Sequence, residues 1–191
     1  MSEYHVESSE TVYEGVLSRA RMDRVRMPDG DTRRREVMEH VPAVAVVAVD
    51  RGCVVLVRQY RHPLRDWFLE VPAGILDVEG EAPDTAARRE LIEEVGLEPG
   101  RLDELVTFAN SAGWTDERTT VYLATDLREA RPPEGFAADA EEAGMQVVRM
   151  PLDEAVARAR NGELHDAKTV IGLLLAEARL GTPGRRRPPA E

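Results

Sequence analysis

The amino-acid sequence predicts an α/β protein: a mixed sheet flanked by helices and preceded by a small antiparallel β-ribbon. Residues 43–49 and 53–57 are almost continuously apolar, which is typical of central strands covered on both faces. Pro83–Val95 carries the start and stop signals of a helix, with Pro83 in its first turn and Gly96 just past its end. Strands and helices both continue to the end of the chain, which indicates a layered α/β architecture.

The first 39 residues are predicted to form the ribbon. Apolar side chains alternate in residues 21–27, around Met22, Val25 and Met27, and the sequence PDGD that follows is a strong turn signal. A charged strand at 32–39 would then pair back on the first. A ribbon of two or three strands has little core of its own, so it must pack on the main domain or on a second subunit.

The remaining elements follow from hydrophobic periodicity and turn residues. A turn at 50–52 separates the two apolar strands. Beyond the first helix, the sequence predicts three strands and two helices, at 101–109, 118–125, 145–150, Leu152–Arg160 and Ala167–Leu180. An acidic loop rich in Pro and Ala spans 131–142, and the tail at 182–191 is predicted to be disordered.

The composition limits the classes of partner. Asp and Glu outnumber Lys and Arg by 36 to 25, giving a net charge of −11, which argues against nucleic acid as the main partner. The single cysteine, Cys53, lies in an apolar run and is interpreted as a small buried hydrophobe. The sequence has no stretch close to the roughly 20 apolar residues that span a bilayer. We therefore expect no membrane partner and a cytoplasmic location.

Acidic residues are concentrated on the first helix. Glu90 and Glu94 are four residues apart and project from one face, with Glu93 displaced to the side. Hard oxygen ligands at this density suit Mg²⁺ or Mn²⁺, whose shell would be completed by water and substrate phosphates. The alternative is a solvated acidic face in which Arg89 pairs with Glu93. A neighbouring stripe of Ala87, Leu91 and Val95 is predicted to anchor the helix to the sheet.

The spacing of these residues continues upstream into a glycine-containing loop. Glu81 is followed after seven residues by Arg89, and the subsequent specified residues are Glu90, Leu91, Glu93, Glu94, Gly96 and Leu97. Together with Gly74, this pattern resembles the Nudix box, G-x5-E-x7-R-E-U-x-E-E-x-G-U, where U is a bulky aliphatic residue. The first half departs from the pattern, because six residues rather than five separate Gly74 from Glu81. The extra residue falls in the loop 77–80, where insertions are tolerated.

The resemblance extends over most of the chain and is closest to the ADP-ribose pyrophosphatase branch of the family. Residues 58–74, RQYRHPLRDWFLEVPAG, are typical of that branch. It implies a β-ribbon at 1–39 that forms a homodimer, a Nudix α/β/α sandwich at 40–181, and a tail at 182–191. The implied reaction is metal-dependent hydrolysis of the pyrophosphate bond of ADP-ribose, giving AMP and ribose 5-phosphate.

The resemblance also assigns the metal site and the catalytic acids. Glu90, Glu94 and the backbone carbonyl of Ala73 would bind two or three Mg²⁺ ions per active site, and Glu93 would join through water. Related enzymes draw a catalytic glutamate from a loop before a late strand, and Glu142 occupies that place here, with Glu141 as the alternative. Arg89 and Glu81 are interpreted as structural.

The substrate residues are assigned in the same way. Arg61 would contact the phosphates or the terminal ribose, while Glu70 and Gly74 would line the site. The predicted substrate loop contains Trp114, Asp116 and Glu117, and Trp114 is expected either to stack on a base or to belong to the core. Alanine replaces a proline common in the branch at position 112, which leaves another nucleoside diphosphate sugar or a dinucleotide polyphosphate open as substrate. A non-catalytic nucleotide sensor on the same fold is a remote alternative.

Overall fold

The structure is a computed structural model that describes residues 3–132 and 144–181. Within these ranges the chain forms ten strands and three helices. The strands are β1 (His5–Glu14), β2 (Ser18–Arg26), β3 (Thr32–His40), β4 (Ala43–Asp50), β5 (Cys53–Arg61), β6 (Asp66–Glu70), β7 (Ala73–Ile75), β8 (Leu97–Ala109), β9 (Arg118–Glu129) and β10 (Gln146–Pro151). The helices are α1 (Pro83–Val95), α2 (Leu152–Arg160) and α3 (Ala167–Leu180).

The strands form two sheets, as the predicted fold class requires. The N-terminal sheet is antiparallel, in the order β1-β2-β3. The second has seven strands, with β10-β5-β4-β9-β8 as its main path and β6 and β7 paired to β5 and β4. Because β4 and β9 run parallel while the other pairs are antiparallel, this sheet is mixed. The α/β class, the mixed sheet and the preceding antiparallel ribbon are therefore confirmed.

Strand β4 shows why the second sheet is covered on both faces. Val44 and Val46 pack in a cluster with α1, whereas Ala45 and Val47 pack in a cluster with α2 and α3. Successive side chains of a strand point to opposite faces, so a run without polar residues must have helices on both sides. Gly172 of α3 lies so close to Val47 that a Cβ would meet that side chain, which brings the helix tightly onto the sheet.

Helix α1 has the bounds that its sequence predicts. Pro83 opens it, and Gly96 ends it in the left-handed conformation at φ 67°. The Gly96 N–H donates to the carbonyl oxygens of Ile92 and Leu91, closing the last turn. Ala87 and Leu91 are fully buried against the sheet, and this fixes which face of α1 carries the glutamates.

The end of the ribbon is bound to the loop between β8 and β9 through a short backbone contact. The Met38 N–H donates to the carbonyl oxygen of Trp114 at 2.9 Å, and the Asp116 N–H donates back to the Met38 oxygen at 3.3 Å. The carboxylate of Asp116 also accepts the N–H of His40 at 3.1 Å. The predicted substrate loop therefore holds the end of β3 in place.

Two features of the described chain bear on the predicted surroundings. No helix in residues 3–132 and 144–181 is long and apolar enough to cross a membrane. The tail at 182–191 and most of the acidic loop, including Glu141 and Glu142, lie outside the described residues, so predictions for them stay predictions.

Candidate active site

Helix α1 presents Glu90 and Glu94 to a cleft beside the loop that leads into β7. Glu90 is 7% exposed although it carries a carboxylate. Glu94 accepts a hydrogen bond from the backbone N–H of Ala73 at 3.1 Å. This hydrogen bond holds helix α1 against the Ala73–Gly74 backbone, as a site formed by residues of both elements requires.

Gly74 lies directly over the carboxylate of Glu90. A Cβ built on Gly74 would overlap the carboxylate carbon and both oxygens of Glu90. Since no other residue lacks a Cβ, this close approach of backbone to side chain requires glycine. The glycine of the motif has a steric role here, despite the extra residue between it and Glu81.

Crowding and burial change the acidity of the two glutamates. Burial raises the pKa of Glu90 to about 7, with Arg89 opposing the shift and the neighbouring Glu93 and Asp77 adding to it. Burial together with the nearby Glu90 raises the pKa of Glu94 to about 8. Two carboxylates that are costly to ionise in this position would both be stabilised as anions by a bound cation.

Arg89 connects four carboxylates at the edge of this site. Its guanidinium makes two hydrogen bonds to Glu81, at 3.1 and 3.0 Å, and others to Glu90 at 2.7 Å and Glu93 at 3.0 Å. Asp77, in the loop with the extra residue, lies 3.6 Å from the guanidinium. The longer loop therefore preserves the Glu81–Arg89 pair, and Glu93 is held by an arginine rather than directed freely into solvent.

The glutamates line a cleft of about 770 Å³. Of the residues predicted to form the site, seven line it: Arg61, Ala73, Gly74, Glu90, Glu93, Glu94 and Glu117. Other lining residues, which the sequence did not single out, include His40, Gln59, Asn110, Asp166 and Lys168. Cationic side chains thus face the same space as the acidic face of α1.

Glu70 lies behind the cleft wall and is 1% exposed. Arg61 donates two hydrogen bonds to its carboxylate, at 2.8 and 2.7 Å, and Lys168 forms an ion pair with the same group. Burial alone would raise the pKa of Glu70, but Arg61 and Lys168 outweigh burial and lower it. Glu70 is therefore an ionised anchor for two cations of the cleft.

Sequence analysis missed the contribution of α3 to this anchor. Asp166 is the N-cap of α3 and accepts the N–H of Thr169 at 2.9 Å. The Thr169 hydroxyl in turn accepts the N–H of Val71 at 2.9 Å, and Asp166 accepts a hydrogen bond from Lys168 at 2.8 Å. The Asp-x-x-Thr pattern at 166–169 was the only local signal, and it indicates a helix N-cap. It did not indicate that these residues contact Glu70 and Val71, about a hundred residues earlier.

The residues of the predicted substrate loop do not all lie in the cleft. Glu117 lines the cleft, 3.6 Å from the imidazole of His40. Asp116 is engaged with the backbone of β3, and Trp114 is 55% exposed and does not line the cleft formed by the described residues of one chain. Trp114 is therefore not a core residue, and base stacking stays a prediction.

One buried donor, in a residue of the cleft wall, has no partner in the described part of the chain. The side-chain nitrogen of Gln59 is buried and makes no hydrogen bond there, and Gln59 is 3% exposed. Buried polar groups are nearly always hydrogen-bonded, so an orphan among cleft residues indicates a position that water or a bound molecule completes.

The donor set suits a hydrated divalent cation better than a closed metal cage. Within residues 3–132 and 144–181, no three His, Cys, Asp or Glu side chains converge on one point. Mg²⁺ usually keeps several waters and is held by one or two carboxylates together with substrate phosphates. Glu90 and Glu94 supply such a pair, and a bound divalent cation would offset the cost of ionising these two buried carboxylates, whose pKa values burial raises.

Comparison with known proteins agrees with this geometry. The NUDIX domain family matches residues 38–171, so the chain belongs to that family and is a Nudix hydrolase. It is 44% identical over 181 residues to the ADP-ribose pyrophosphatase of Mycobacterium tuberculosis, covering 93% of this chain and 86% of that protein. It is 36% identical to the methanol dehydrogenase activator of Bacillus methanolicus over 86% of this chain and 88% of that protein. A solved structure described as an ADP compounds hydrolase shares the fold, with a TM-score of 0.82, 24% identity and coverage of 96% and 97% of the two chains.

Proposed function

We propose that the protein hydrolyses the pyrophosphate bond of ADP-ribose, giving AMP and ribose 5-phosphate. The observation that carries the proposal is the juxtaposition of Glu90 and Glu94 with Arg61 around one cleft. A diphosphate joining two sugars is a ligand with anionic oxygens at its centre, which suits cations on one side and carboxylate-held metal ions on the other. The similarity to the ADP-ribose pyrophosphatase of Mycobacterium tuberculosis supports this choice of substrate.

The reaction needs water to attack one phosphorus as the bond from that phosphorus to the bridging oxygen breaks. The proton lost by the water is accepted by a base, and the bridging oxygen leaves with the other phosphate. We assign the base to Glu142, with Glu141 as the alternative, because related enzymes place a glutamate in this late loop. Arg61 holds the diphosphate by charge-assisted hydrogen bonds, and Glu70 fixes the orientation of its guanidinium.

We propose that Glu90, Glu94 and the Ala73 carbonyl hold two or three Mg²⁺ ions, with Mn²⁺ as a substitute. Bound divalent ions would offset the charge of the diphosphate and lower the pKa of a coordinated water. Glu93 contributes through water while remaining paired with Arg89. Gly74 leaves the Glu90 carboxylate room to lie against the backbone.

We further propose a cytoplasmic homodimer that forms through the N-terminal ribbon. All ten residues of β1 are exposed, which is unusual for a strand of this length. Val6, Val12 and Tyr13 are more than half exposed, and Val16 and Leu17 follow at the turn. A second chain that covers this strand would remove apolar surface from water and support the ribbon. Analytical ultracentrifugation of the full chain tests the assembly: sedimentation as a monomer at micromolar concentration would contradict it.

The function is tested by measuring hydrolysis of ADP-ribose, GDP-mannose, UDP-glucose and diadenosine polyphosphates at equal concentration, with a phosphatase-coupled assay in Mg²⁺. A preference for ADP-ribose of tenfold or more is the expected result. A preference for another compound would keep the hydrolytic centre and contradict the substrate. The variants Glu90→Gln and Glu94→Gln should each lose activity by more than the roughly 10–100-fold typical of a group that only supports a metal ligand.

The same experiment separates the enzyme from a nucleotide sensor. A sensor would bind ADP-ribose without consuming it, and both glutamine variants would bind as the wild type does. Retention of activity within a few-fold in Glu90→Gln and Glu94→Gln would exclude the proposed metal site.

A further inference from the structure

Of the 25 Lys and Arg residues in the sequence, Lys168 is the only lysine. It lies in the first turn of α3, where the helix dipole disfavours a positive charge. The preference of this sequence for arginine therefore does not explain a lysine at position 168. The stability of α3 does not explain it either. Its surroundings in the cleft offer a different reason.

The ammonium of Lys168 joins two carboxylates, one lining the cleft and one buried behind its wall. It forms an ion pair with Glu70, and it donates to Asp166 at 2.8 Å. Glu70 is the buried residue of this group. Arg61 donates to both oxygens of its carboxylate through Nε and Nη2, and Lys168 shares the Oε2 oxygen with Arg61. Two cations therefore share two carboxylates, and the group is balanced in charge.

This balance of charge determines whether Arg61 can bind another anion without losing its hold on Glu70. Without Lys168, Arg61 alone would face two carboxylates, and a bond from Arg61 to any other anion would weaken its hold on the buried Glu70. With Lys168 in place, Glu70 keeps a second cation. Among the contacts of the described residues, the Nη1 nitrogen of Arg61 makes no hydrogen bond, and Arg61 lines the cleft. That edge of the guanidinium is therefore available to a ligand.

We propose that Lys168 is a positioning residue for Arg61: through Glu70 it holds the guanidinium so that its free edge binds an anionic group of the substrate. The inference rests on the proposed function, since the anionic group is the diphosphate of ADP-ribose. Lys168 acts through Glu70 and Arg61 and makes no direct contact with the diphosphate.

A double-mutant cycle tests this pathway. Lys168→Met removes the charge and keeps the length of the side chain, and we expect it to raise KM for ADP-ribose about tenfold with kcat changed less than about threefold. Arg61→Ala should raise KM by at least as much. The double variant should have the KM of Arg61→Ala, because Lys168 has nothing left to position. The control is Arg158→Met, which removes a charge from the exposed Arg158–Glu154 pair and should leave KM unchanged.

Three results would overturn the proposal. An unchanged KM in Lys168→Met would remove any role in substrate binding. Multiplication of the two single effects in the double variant would indicate direct contact between Lys168 and substrate. A fall in kcat with unchanged KM would indicate that Lys168 only supports the fold near Ala73.

A measurement on the wild-type protein keeps the inference testable if Lys168→Met does not fold. Labelling with ¹⁵N-lysine gives one side-chain Nζ signal, because the sequence has one lysine. We expect its protons to exchange slowly with solvent and its resonance to shift in Glu70→Gln. Fast exchange in the wild type, like that of a free lysine, would contradict the Glu70 contact. Absence of ADP-ribose turnover by the wild type would instead refute the proposed function, and the Nζ signal would still decide the contact.

Discussion

The backbone of Gly74 and the carboxylate of Glu90 occupy adjoining space, with no room for even a methyl group between them. The contact joins strand β7 to helix α1, the two elements that carry the proposed metal ligands. A side chain at position 74 could be accommodated only by moving the Glu90 carboxylate or the strand. Either movement would displace one of the groups on which the proposed metal site depends.

Gly74→Ala should therefore reduce kcat by about 100-fold or more, since small displacements of catalytic groups have effects of this order. The fold should persist, because the rest of α1 remains packed through Ala87 and Leu91. Steady-state kinetics and circular dichroism measure the two quantities. Gly52→Ala is the control, because a Cβ at Gly52, in the turn between β4 and β5 and outside the cleft, meets open space. Equal activity of the two alanine variants would contradict the steric role of Gly74.

The raised pKa values of Glu90 and Glu94 predict a pH-dependent stability for the metal-free protein. Both carboxylates hold their protons up to about pH 7 and 8 in the folded chain, compared with 4.5 for an ordinary glutamate. Between pH 4.5 and these values the folded chain keeps protons that the unfolded chain releases, so the stability present below pH 4.5 is lost progressively as the pH rises to about 8. In EDTA, the melting temperature should fall across this range.

Added Mg²⁺ should raise the melting temperature more at pH 8.5 than at pH 5, because it competes with protons for the same carboxylates. The variant that combines Glu90→Gln with Glu94→Gln is the control, and its melting temperature in EDTA should be less dependent on pH than that of the wild type. Identical pH dependence in the two proteins would show that other groups are responsible.

Arg89 should contribute to both stability and catalysis, since it pairs with Glu81, Glu90 and Glu93. Arg89→Gln would leave three partly buried carboxylates without their shared cation. We expect a loss of about 1–3 kcal/mol in the free energy of unfolding and a fall in kcat of about 10–100-fold. Urea unfolding and kinetics measure these effects. Arg88→Gln, which loses only a bond to the Pro99 carbonyl, should change both much less.

Trp114 and Trp67 offer a direct test of base stacking. The chain has two tryptophans, and Trp67→Phe leaves Trp114 as the only one. If Trp114 stacks on the base, saturation with AMP should quench the fluorescence of this variant, and Trp114→Phe should show little change. Trp114→Ala should raise KM for ADP-ribose about tenfold, the equivalent of about 1.4 kcal/mol. Unchanged fluorescence and KM would contradict stacking.

Sequence was most informative where local signals and spacing sufficed. The bounds of α1 follow from Pro83 and Gly96, and the Glu81–Arg89 pair follows from the seven-residue spacing between these two residues in the motif. Strand β1 was not delimited, because all its residues are exposed and no alternation of polarity marks it. Strand β8 begins at Leu97 rather than at residue 101, because Pro99 is tolerated in a strand at the sheet edge.

The contacts that escaped prediction are those between distant segments. Lys168 and Glu70 are separated by 98 positions, and no periodicity connects a helix start to the end of a strand. The two short strands β6 and β7 were also missed, since three to five residues carry too little pattern to be distinguished from loop. The sequence therefore indicated Glu90, Glu94 and Arg61, whereas Lys168 and its contact with Glu70 depend on tertiary structure.

Leu17, in the turn between β1 and β2, lines the same cleft as Glu90 and Glu94 but precedes the stretch of 38–171 that defines the family. Part of the cleft wall is thus formed by a segment outside the hydrolytic domain. Substitutions in that turn can alter which molecules fit the cleft and leave every metal-binding carboxylate untouched. Variation in this N-terminal segment can therefore change the shape of the cleft while the residues proposed to carry out the hydrolysis stay the same.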